Sequence, residues 1–370
     1  MQGQVYKIHS DFYYVKCSNS GETLECKLRE NLKKQKLQVC VGDFVEMNEG
    51  AIEKILPRRN FIKRPAVANL DLLVVVSSIK EPALDFAQLD RYLAFAKYHK
   101  IPAALCFNKE DLEHENSLES DILAIYGKGR ERNENEVFTH SGIQKSTAHN
   151  SPTPLYDSRA SEPKGQSPYG SLGYDIIFTS ALEKTGLEGL ITLVKGKVAV
   201  LCGNSGVGKS SLLNAIGAAN LRTKNVSQKT DRGVHTTRHV EILEFDGFRI
   251  MDTPGFSLLR FDFLMPQELT ELFPDIAQFA EHCKFSDCNH VDTKDCAVTI
   301  NLDKIPKSRY ESFLELLGEA QEYKKKVTYS GIKAETSAKD RHKRVVPKIS
   351  NKKRSLSRKV QKQNVTDDLF

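Results

Sequence analysis

The chain has 370 residues, 39% hydrophobic and 28% charged, with a net charge of +6 and a mean hydropathy of −0.43. That apolar share can build a sizeable core, which excludes wholesale disorder, and the length suits two to four domains. The apolar run at Leu72–Val76 falls far short of the ~20 residues that cross a bilayer, Met1–Val15 lacks the apolar core of a secretory leader, and eight cysteines are too few for a disulfide scaffold.

The expectation is a soluble, cytoplasmic, multidomain α/β protein with no membrane partner. Residues 1–66 alternate apolar and polar in five short runs, Val5–Ile8, Phe12–Cys17, Thr23–Leu28, Phe44–Met47 and Ala51–Leu56. Gly21, Asn31, Gly42–Asp43 and Asn48–Gly50 punctuate them where turns belong. Such a pattern predicts a small closed barrel of the OB or SH3 type. Lys33, Lys34, Lys36, Arg58 and Arg59 are candidate phosphate contacts on it, set against a purely structural basic surface.

From residue 67 the pattern changes. Leu72–Ser77 is a continuous apolar run, as expected of a strand covered on both faces. Asp85–Lys100 follows with helical spacing, then the apolar segments Pro102–Phe107, Asp175–Thr179, Lys197–Cys202 and Arg249–Met251. Strands alternating with helices predict a mostly parallel sheet over 67–260. Residues 127–172 hold seven Ser, four Pro and five Gly against five Ile, Leu, Val, Phe or Met, which reads as an insertion without a core of its own. Pro266–Glu281 and Ser308–Lys326 read as helices of a region spanning 261–326. The tail, 327–370, is basic. Residues 324–363 carry 15 Lys/Arg and 2 Asp/Glu, so the rest of the chain sums to −7.

The chemistry sits at strand ends. Gly203-Asn204-Ser205-Gly206-Val207-Gly208-Lys209-Ser210 matches the phosphate-binding loop, between an apolar strand and the helical stretch that opens at Ser211. Its glycines let backbone N–H groups wrap a phosphate, Lys209 reaches the β- and γ-phosphates, and Ser210 holds Mg²⁺. Asp252-Thr253-Pro254-Gly255 ends a second strand. Asp252 would steady the magnesium shell through water, and the Gly255 N–H would sense a γ-phosphate. Asn108-Lys109-Glu110-Asp111 ends a third strand, where the carboxylate suits guanine N1–H and N2–H, and adenine would leave it unpaired. Ser180-Ala181 ends a fourth and offers a backbone N–H to guanine O6. Ligands of open α/β sheets bind at such ends, and these four point to GTP.

Cys283-x4-Cys288-x-His290-x5-Cys296 supplies three thiolates and an imidazole, the full ligand set of a structural zinc site with no open position. His282 is a rival ligand. Cys17, Cys26, Cys40, Cys106 and Cys202 lie in apolar strands and read as core thiols.

The order of the GTP motifs is rotated, with Asn108–Asp111 and Ser180-Ala181 preceding the phosphate loop. In this the sequence resembles the circularly permuted GTPases, specifically the ribosome small-subunit-dependent GTPase A (RsgA) family. Val41-Gly42-Asp43, Arg64-Pro65, Ala68-Asn69-Leu70-Asp71, Asn108–Asp111, Gly203–Ser211, Gly233–Thr237, Asp252–Phe256 and the cysteine cluster carry the likeness. The resemblance implies an OB barrel, a permuted GTPase domain and a zinc domain with Cys283, Cys288, His290 and Cys296 as ligands. It further implies a GTPase, acting as a monomer, that is stimulated by the small ribosomal subunit and its rRNA during late maturation. The switch threonine that meets magnesium would be Thr236 or Thr237. Phe256 stands where many GTPases carry a water-orienting Gln, so another group must orient the water, with His235 the first candidate and His239 the second. The insertion is expected to loop out beside the guanine pocket, and nucleotide state to set the angle between GTPase core and zinc domain. Two other readings stay open: an RNA-binding module using GTP as a slowly hydrolysed switch ligand, and an ATP-dependent P-loop enzyme such as a kinase.

Overall fold

A computed structural model of the chain describes residues 1–34, 38–112, 116–128, 172–221, 240–253, 256, 259, 261, 263–285, 288–291, 293–330, 336–339 and 345–348. Strands β1 (Gln2–His9), β2 (Phe12–Cys17) and β3 (Thr23–Leu28), helix α1 (Glu30–Lys34), and strands β4 (Phe44–Asn48) and β5 (Ala51–Ile55) form the N-terminal unit. The strands run in the order β1-β2-β3-β5-β4, and β4 pairs back onto β1, so the barrel closes. Alternation explains it: Val5, Val15, Cys17, Cys26, Val45, Met47 and Ile52 fill the interior, each no more than 5% exposed.

A hairpin of β6 (Phe61–Lys63) and β7 (Ala66–Ala68) leads into the second unit. The joint between the two is built from sequence that had no evident role beyond the family likeness. Asp43 is fully buried; its carboxylate accepts the Cys40 N–H and both arms of Arg58 at 2.7 and 2.8 Å. Gly42 takes φ +94°, and a Cβ there would sit 2.0 Å from the Ala68 carbonyl oxygen. The Asn69 amide donates to the Gly42 carbonyl at 3.0 Å. Arg58 and Arg59 are thus occupied, the first by Asp43 and the second by Asp71 at 2.6 Å. Arg58, largely buried, is thereby drawn away from the expected phosphate-contact role, whereas the Arg59 side chain stays exposed; the side chains of Lys33, Lys34 and Lys36 lie outside the described residues.

The second unit contains β8 (Leu72–Ser78), α2 (Phe86–Tyr98), β9 (Ala103–Asn108), α3 (Asn116–Tyr126), β10 (Asp175–Thr179), α4 (Leu187–Val194), β11 (Val198–Cys202), α5 (Lys209–Leu221), β12 (Glu241–Phe245) and β13 (Phe248–Asp252). Its strands lie in the order β10-β9-β8-β11-β13-β12, parallel except for the antiparallel β12–β13 hairpin. The strand β8 is buried on both faces by parity: Leu73 and Val75 join the core on the α2 side, Leu72, Val74 and Val76 that on the α4–α5 side. β1 pairs with β12 at Lys7↔Glu241, so the barrel and the mostly parallel sheet are continuous. Ion pairs Lys7–Glu241 and Lys16–Glu244, and an Arg249–Gln4 hydrogen bond of 2.9 Å, brace that seam.

The C-terminal region has α6 (Pro266–Glu271), α7 (Pro274–Ala280), α8 (Ala297–Ile300) and α9 (Lys307–Ser330), followed by a hairpin of β14 (Thr336–Lys339) and β15 (Val345–Lys348). The single helix expected over Pro266–Glu281 is two, because Pro274 has no N–H for a continuing helix and starts the second one. The hairpin falls within the tail read only as basic.

The insertion expected to loop out beside the guanine pocket lies outside the described residues, and only its two ends are placed. Gly127 bridges to Tyr174, and the Tyr174 N–H bonds to the Tyr126 carbonyl at 2.8 Å. These contacts lie at the start of β10, whose other end, Thr179, pairs with Asn108. Four residues of strand, about 13 Å, separate the root of the insertion from the guanine motifs. The ends of the insertion therefore lie at the opposite end of β10 from those motifs.

Candidate functional site

Asn108 is 2% exposed and ties three loops together. Its amide donates to the Val207 carbonyl in the phosphate loop at 2.9 Å, and its oxygen accepts from the Ala181 N–H at 3.1 Å and the Thr179 hydroxyl at 3.3 Å. A Cβ on Gly208, φ +92°, would lie 2.2 Å from that amide nitrogen. Glycine is required there because the guanine-side loop presses directly on the phosphate loop.

Asp111 accepts a hydrogen bond from the Ser180 hydroxyl, and the Ser180 oxygen in turn accepts the Glu183 N–H at 3.0 Å. The Glu110 N–H bonds to the Thr179 carbonyl at 3.0 Å. Lys109 adopts φ +68° and donates its ammonium to the Glu81 carbonyl at 2.5 Å. Motif reading missed Thr179 and the loop holding Glu81. A polar residue after the apolar run Ile176–Phe178 was the signal for Thr179, and Glu81 takes part through its backbone, which leaves no sequence signal.

In the phosphate loop, the Lys209 ammonium donates to the carbonyls of Gly203 and Asn204 at 2.7 and 2.8 Å. An ammonium has three donors, so the third remains for a phosphate oxygen. Burial pulls the Lys209 pKa below its ordinary value, partly offset by Cys202. Ser205, Gly206, Ser210 and Ser211 are exposed at the mouth of the loop. β13 lies beside β11, pairing Met251 with Val200, which sets Asp252 next to the strand that opens the loop. The Thr253 hydroxyl is buried there without a partner among the described residues. A buried, unpartnered hydroxyl next to Asp252 in sequence, with the serines at the loop mouth exposed, fits a magnesium-bound triphosphate. Phe256 is 2% exposed and packs edge-on against Phe95, ring centroids 5.8 Å apart. Gly255 and the switch residues His235, Thr236, Thr237 and His239 lie outside the described residues.

The ligand atoms of Cys283, Cys288, His290 and Cys296 all lie within 4.8 Å of one another. Cys283 Sγ is 3.6 Å from His290 Nδ1 and 3.7 Å from Cys296 Sγ, and Cys296 Sγ is 3.7 Å from the same nitrogen. A tetrahedron with metal–sulfur bonds of about 2.3 Å has edges of about 3.8 Å, so these spacings fit a four-coordinate metal. Burial lowers the His290 pKa, which favours the neutral imidazole a metal needs. His290 takes φ +61°, and the Tyr310 hydroxyl of α9 donates to its carbonyl at 2.7 Å. His282 is exposed and outside the cluster.

This region is fastened to the unit that carries the parallel sheet. Arg309 of α9, 2% exposed, forms ion pairs with Asp90 of α2 at 2.5 Å and with Asp275 of α7 at 2.8 Å. Tyr126 donates its hydroxyl to Asp90 at 2.9 Å. Arg91 pairs with Glu315 and Glu319 at 2.8 and 2.7 Å.

Residues 55–150 and 153–262 match the RsgA GTPase family, and residues 2–52 match the RsgA N-terminal domain. A protein of Clostridium botulinum strain Loch Maree named small ribosomal subunit biogenesis GTPase RsgA is 34% identical over 334 residues, 88% of this chain and 99% of that protein. One of the same name from Alkaliphilus metalliredigens is 35% identical over 330 residues, 86% and 97% of the two chains. Among solved structures, YjeQ from Thermotoga maritima superposes with a TM-score of 0.64 at 30% identity, covering 86% of this chain and 98% of its own. YloQ, a circularly permuted GTPase, gives 0.62 at 30% identity, covering 87% and 95%. With its motifs rotated in sequence yet joined through Asn108, its barrel closed and its Cys/His cluster assembled, the chain belongs to the RsgA family of circularly permuted GTPases.

Proposed function

We propose that this chain binds the small ribosomal subunit and assists its late maturation, hydrolysing GTP to GDP and phosphate under stimulation by the subunit. The observation that carries the GTP part is Asn108: one buried amide joins the guanine-side loops to the phosphate loop. Asp111 and the Ala181 N–H read guanine, Lys109 and Glu110 shape that loop, and residues 203–211 hold the phosphates. Ser210 and one of Thr236 or Thr237 would hold magnesium, with Asp252 steadying its shell through water, and bound there it would offset charge on the β- and γ-phosphates. His235 orients the attacking water, because Phe256 is buried and has no hydrogen-bonding group to offer.

Zinc is the metal we assign to Cys283, Cys288, His290 and Cys296, where a closed ligand set makes it structural. The barrel, the zinc region and the basic tail contact rRNA, and the protein works as a cytoplasmic monomer. The ion pairs from Arg309 restrain movement of α9 on α2, so a nucleotide-driven change of angle would have to carry α2 with it. Phe256 also favours slow intrinsic turnover, the property shared by the reading of an RNA-binding module with GTP as a switch ligand.

GTP hydrolysis measured with and without small subunits, with large subunits as control, separates the two. A large acceleration by small subunits alone is expected. Tight RNA binding with no acceleration would overturn the enzyme reading.

A further inference from the structure

One main-chain oxygen of the barrel gathers two buried amides. The Gly42 carbonyl accepts the Gln4 side-chain amide at 3.1 Å and that of Asn69 at 3.0 Å; Gln4 is 4% exposed and Asn69 1%. Each leads into a different strand of the parallel sheet. The Gln4 oxygen accepts the Arg249 guanidinium at 2.9 Å, near the start of β13. Just past Asn69, Asp71 clamps the first residue of β11 in both directions. Its N–H donates to the Val198 carbonyl at 2.9 Å, and its carboxylate accepts the Val198 N–H at 2.8 Å. Arg59 closes the corner, giving its N–H to the Asn69 side chain at 2.9 Å and its guanidinium to Asp71 at 2.6 Å.

The other ends of these two strands carry the chemistry: β11 runs into Gly203, and β13 ends at Asp252. Roughly four residues of strand, about 13 Å, separate the gripped ends from the nucleotide motifs. The barrel therefore holds both strands by their roots through buried amides, and hydrogen bonds fix direction as well as distance. A steric stop adds to them. A Cβ on Gly42 would also meet the Met251 methyl at 3.1 Å, so the joint closes on β13 only around a glycine.

We propose that this joint sets the angle at which the nucleotide site meets the small ribosomal subunit, and that Gln4 is a positioning residue for subunit-stimulated hydrolysis. The inference rests on the reading of the chain as a GTPase stimulated by that particle. Stimulation asks two contacts of one body at once, the barrel on rRNA and the nucleotide site against the groups that accelerate the reaction. A slack joint lets the barrel bind while the site faces the wrong way, and small misplacements of reacting groups cost large factors in rate. Basal hydrolysis needs no such angle, because the nucleotide motifs are tied to one another through Asn108 rather than through the barrel.

The test is GTP hydrolysis by the full-length protein, with and without small subunits, for Gln4→Met, Arg249→Met and the two combined. Methionine keeps the length of Gln4 and removes both of its side-chain hydrogen bonds. Each single change is expected to lower the subunit-stimulated kcat about tenfold, while basal kcat and subunit affinity stay within about twofold. The double variant should lose no more than about twofold beyond either single one, as partners in one contact do. Unchanged stimulation in Gln4→Met would overturn the proposal. So would basal and stimulated rates falling together, which would mean plain destabilisation. Stimulation absent in the unaltered chain would overturn the underlying reading and the proposal with it. Should Gln4→Met fail to fold, Arg249→Met changes a half-buried side chain, leaves the Gln4–Gly42 bond its donor, and is judged by the same comparison.

Discussion

At Asp111, the carboxylate already accepts the Ser180 hydroxyl, so its orientation is set before a base arrives. Replacing it with Asn exchanges an acceptor for a donor where guanine itself presents N–H groups. Asp111→Asn should cost about two orders of magnitude in GTP affinity and admit the xanthine nucleotide, whose 2-carbonyl accepts what Asn donates. Competition binding with GTP, XTP and ATP reads this, and unchanged GTP affinity would refute the guanine assignment. A second single-residue effect concerns His99, at the end of α2. Its ring packs against Phe95, Tyr98 and Phe263 with centroids at 4.4, 5.1 and 6.4 Å, and its Nδ1 is buried without a partner. Burial pushes its pKa down to about 4, with the Phe61 backbone acting weakly the other way. The folded chain keeps it neutral while the unfolded chain titrates it near 6.5. Unfolding therefore takes up a proton between these values, and the stability from the neutral ring, complete above pH 6.5, drains away as pH falls toward 4. Between pH 7.5 and 5 the native chain should lose about 2 kcal/mol more than His99→Phe, measured by denaturant unfolding; parallel losses would exclude His99 as the source.

The α2–α9 contact decides more of the architecture than any motif does. Two carboxylates, Asp90 and Asp275, are buried around the one guanidinium of Arg309. Removing the cation leaves both unpaired, and such a loss costs about 3–5 kcal/mol. Arg309→Ala should lower unfolding stability by that order while metal content per chain stays the same, since Cys283, Cys288, His290 and Cys296 are untouched; a loss under about 1 kcal/mol would mean the pair is not sealed from water. None of this was legible beforehand. Asp90 and Arg309 are ordinary charged residues at helical spacing, and only the fold brings them together. The same holds for β12, where Glu241 and Glu244 brace the barrel through Lys7 and Lys16. By contrast, Gly203–Ser210, Asn108–Asp111 and the cysteine cluster were readable because phosphate, guanine and metal each demand fixed groups at fixed spacing. Arg58 misled for the opposite reason: a cation in a basic stretch carries no mark that a buried carboxylate already owns it.

For the whole molecule, the root of the insertion matters more than its length. Gly127 and Tyr174 hold its two ends together, and the entropy of a closed loop grows only slowly with residue number. Replacing 129–171 by a short Gly/Ser link should leave GTP affinity within about twofold and the fold intact. A tenfold loss of affinity would show that the segment reaches around the sheet to the nucleotide.

The rotated motif order also has a meaning in time. Strands β8, β9 and β10, with the proposed base-reading residues Asp111 and Ala181 close to their ends, leave the ribosome before the phosphate loop does. The inner edge of β8 stays open until Val198–Cys202 has been made, since β11 is its partner there. A nascent chain thus holds a place for the base well before it has one for the phosphates, and GTP cannot nucleate the folding of the domain that will hydrolyse it. The half-built sheet must stand on its own hydrophobic core, which the early pairing of β8 with β9 and the packing of α2 over them supply.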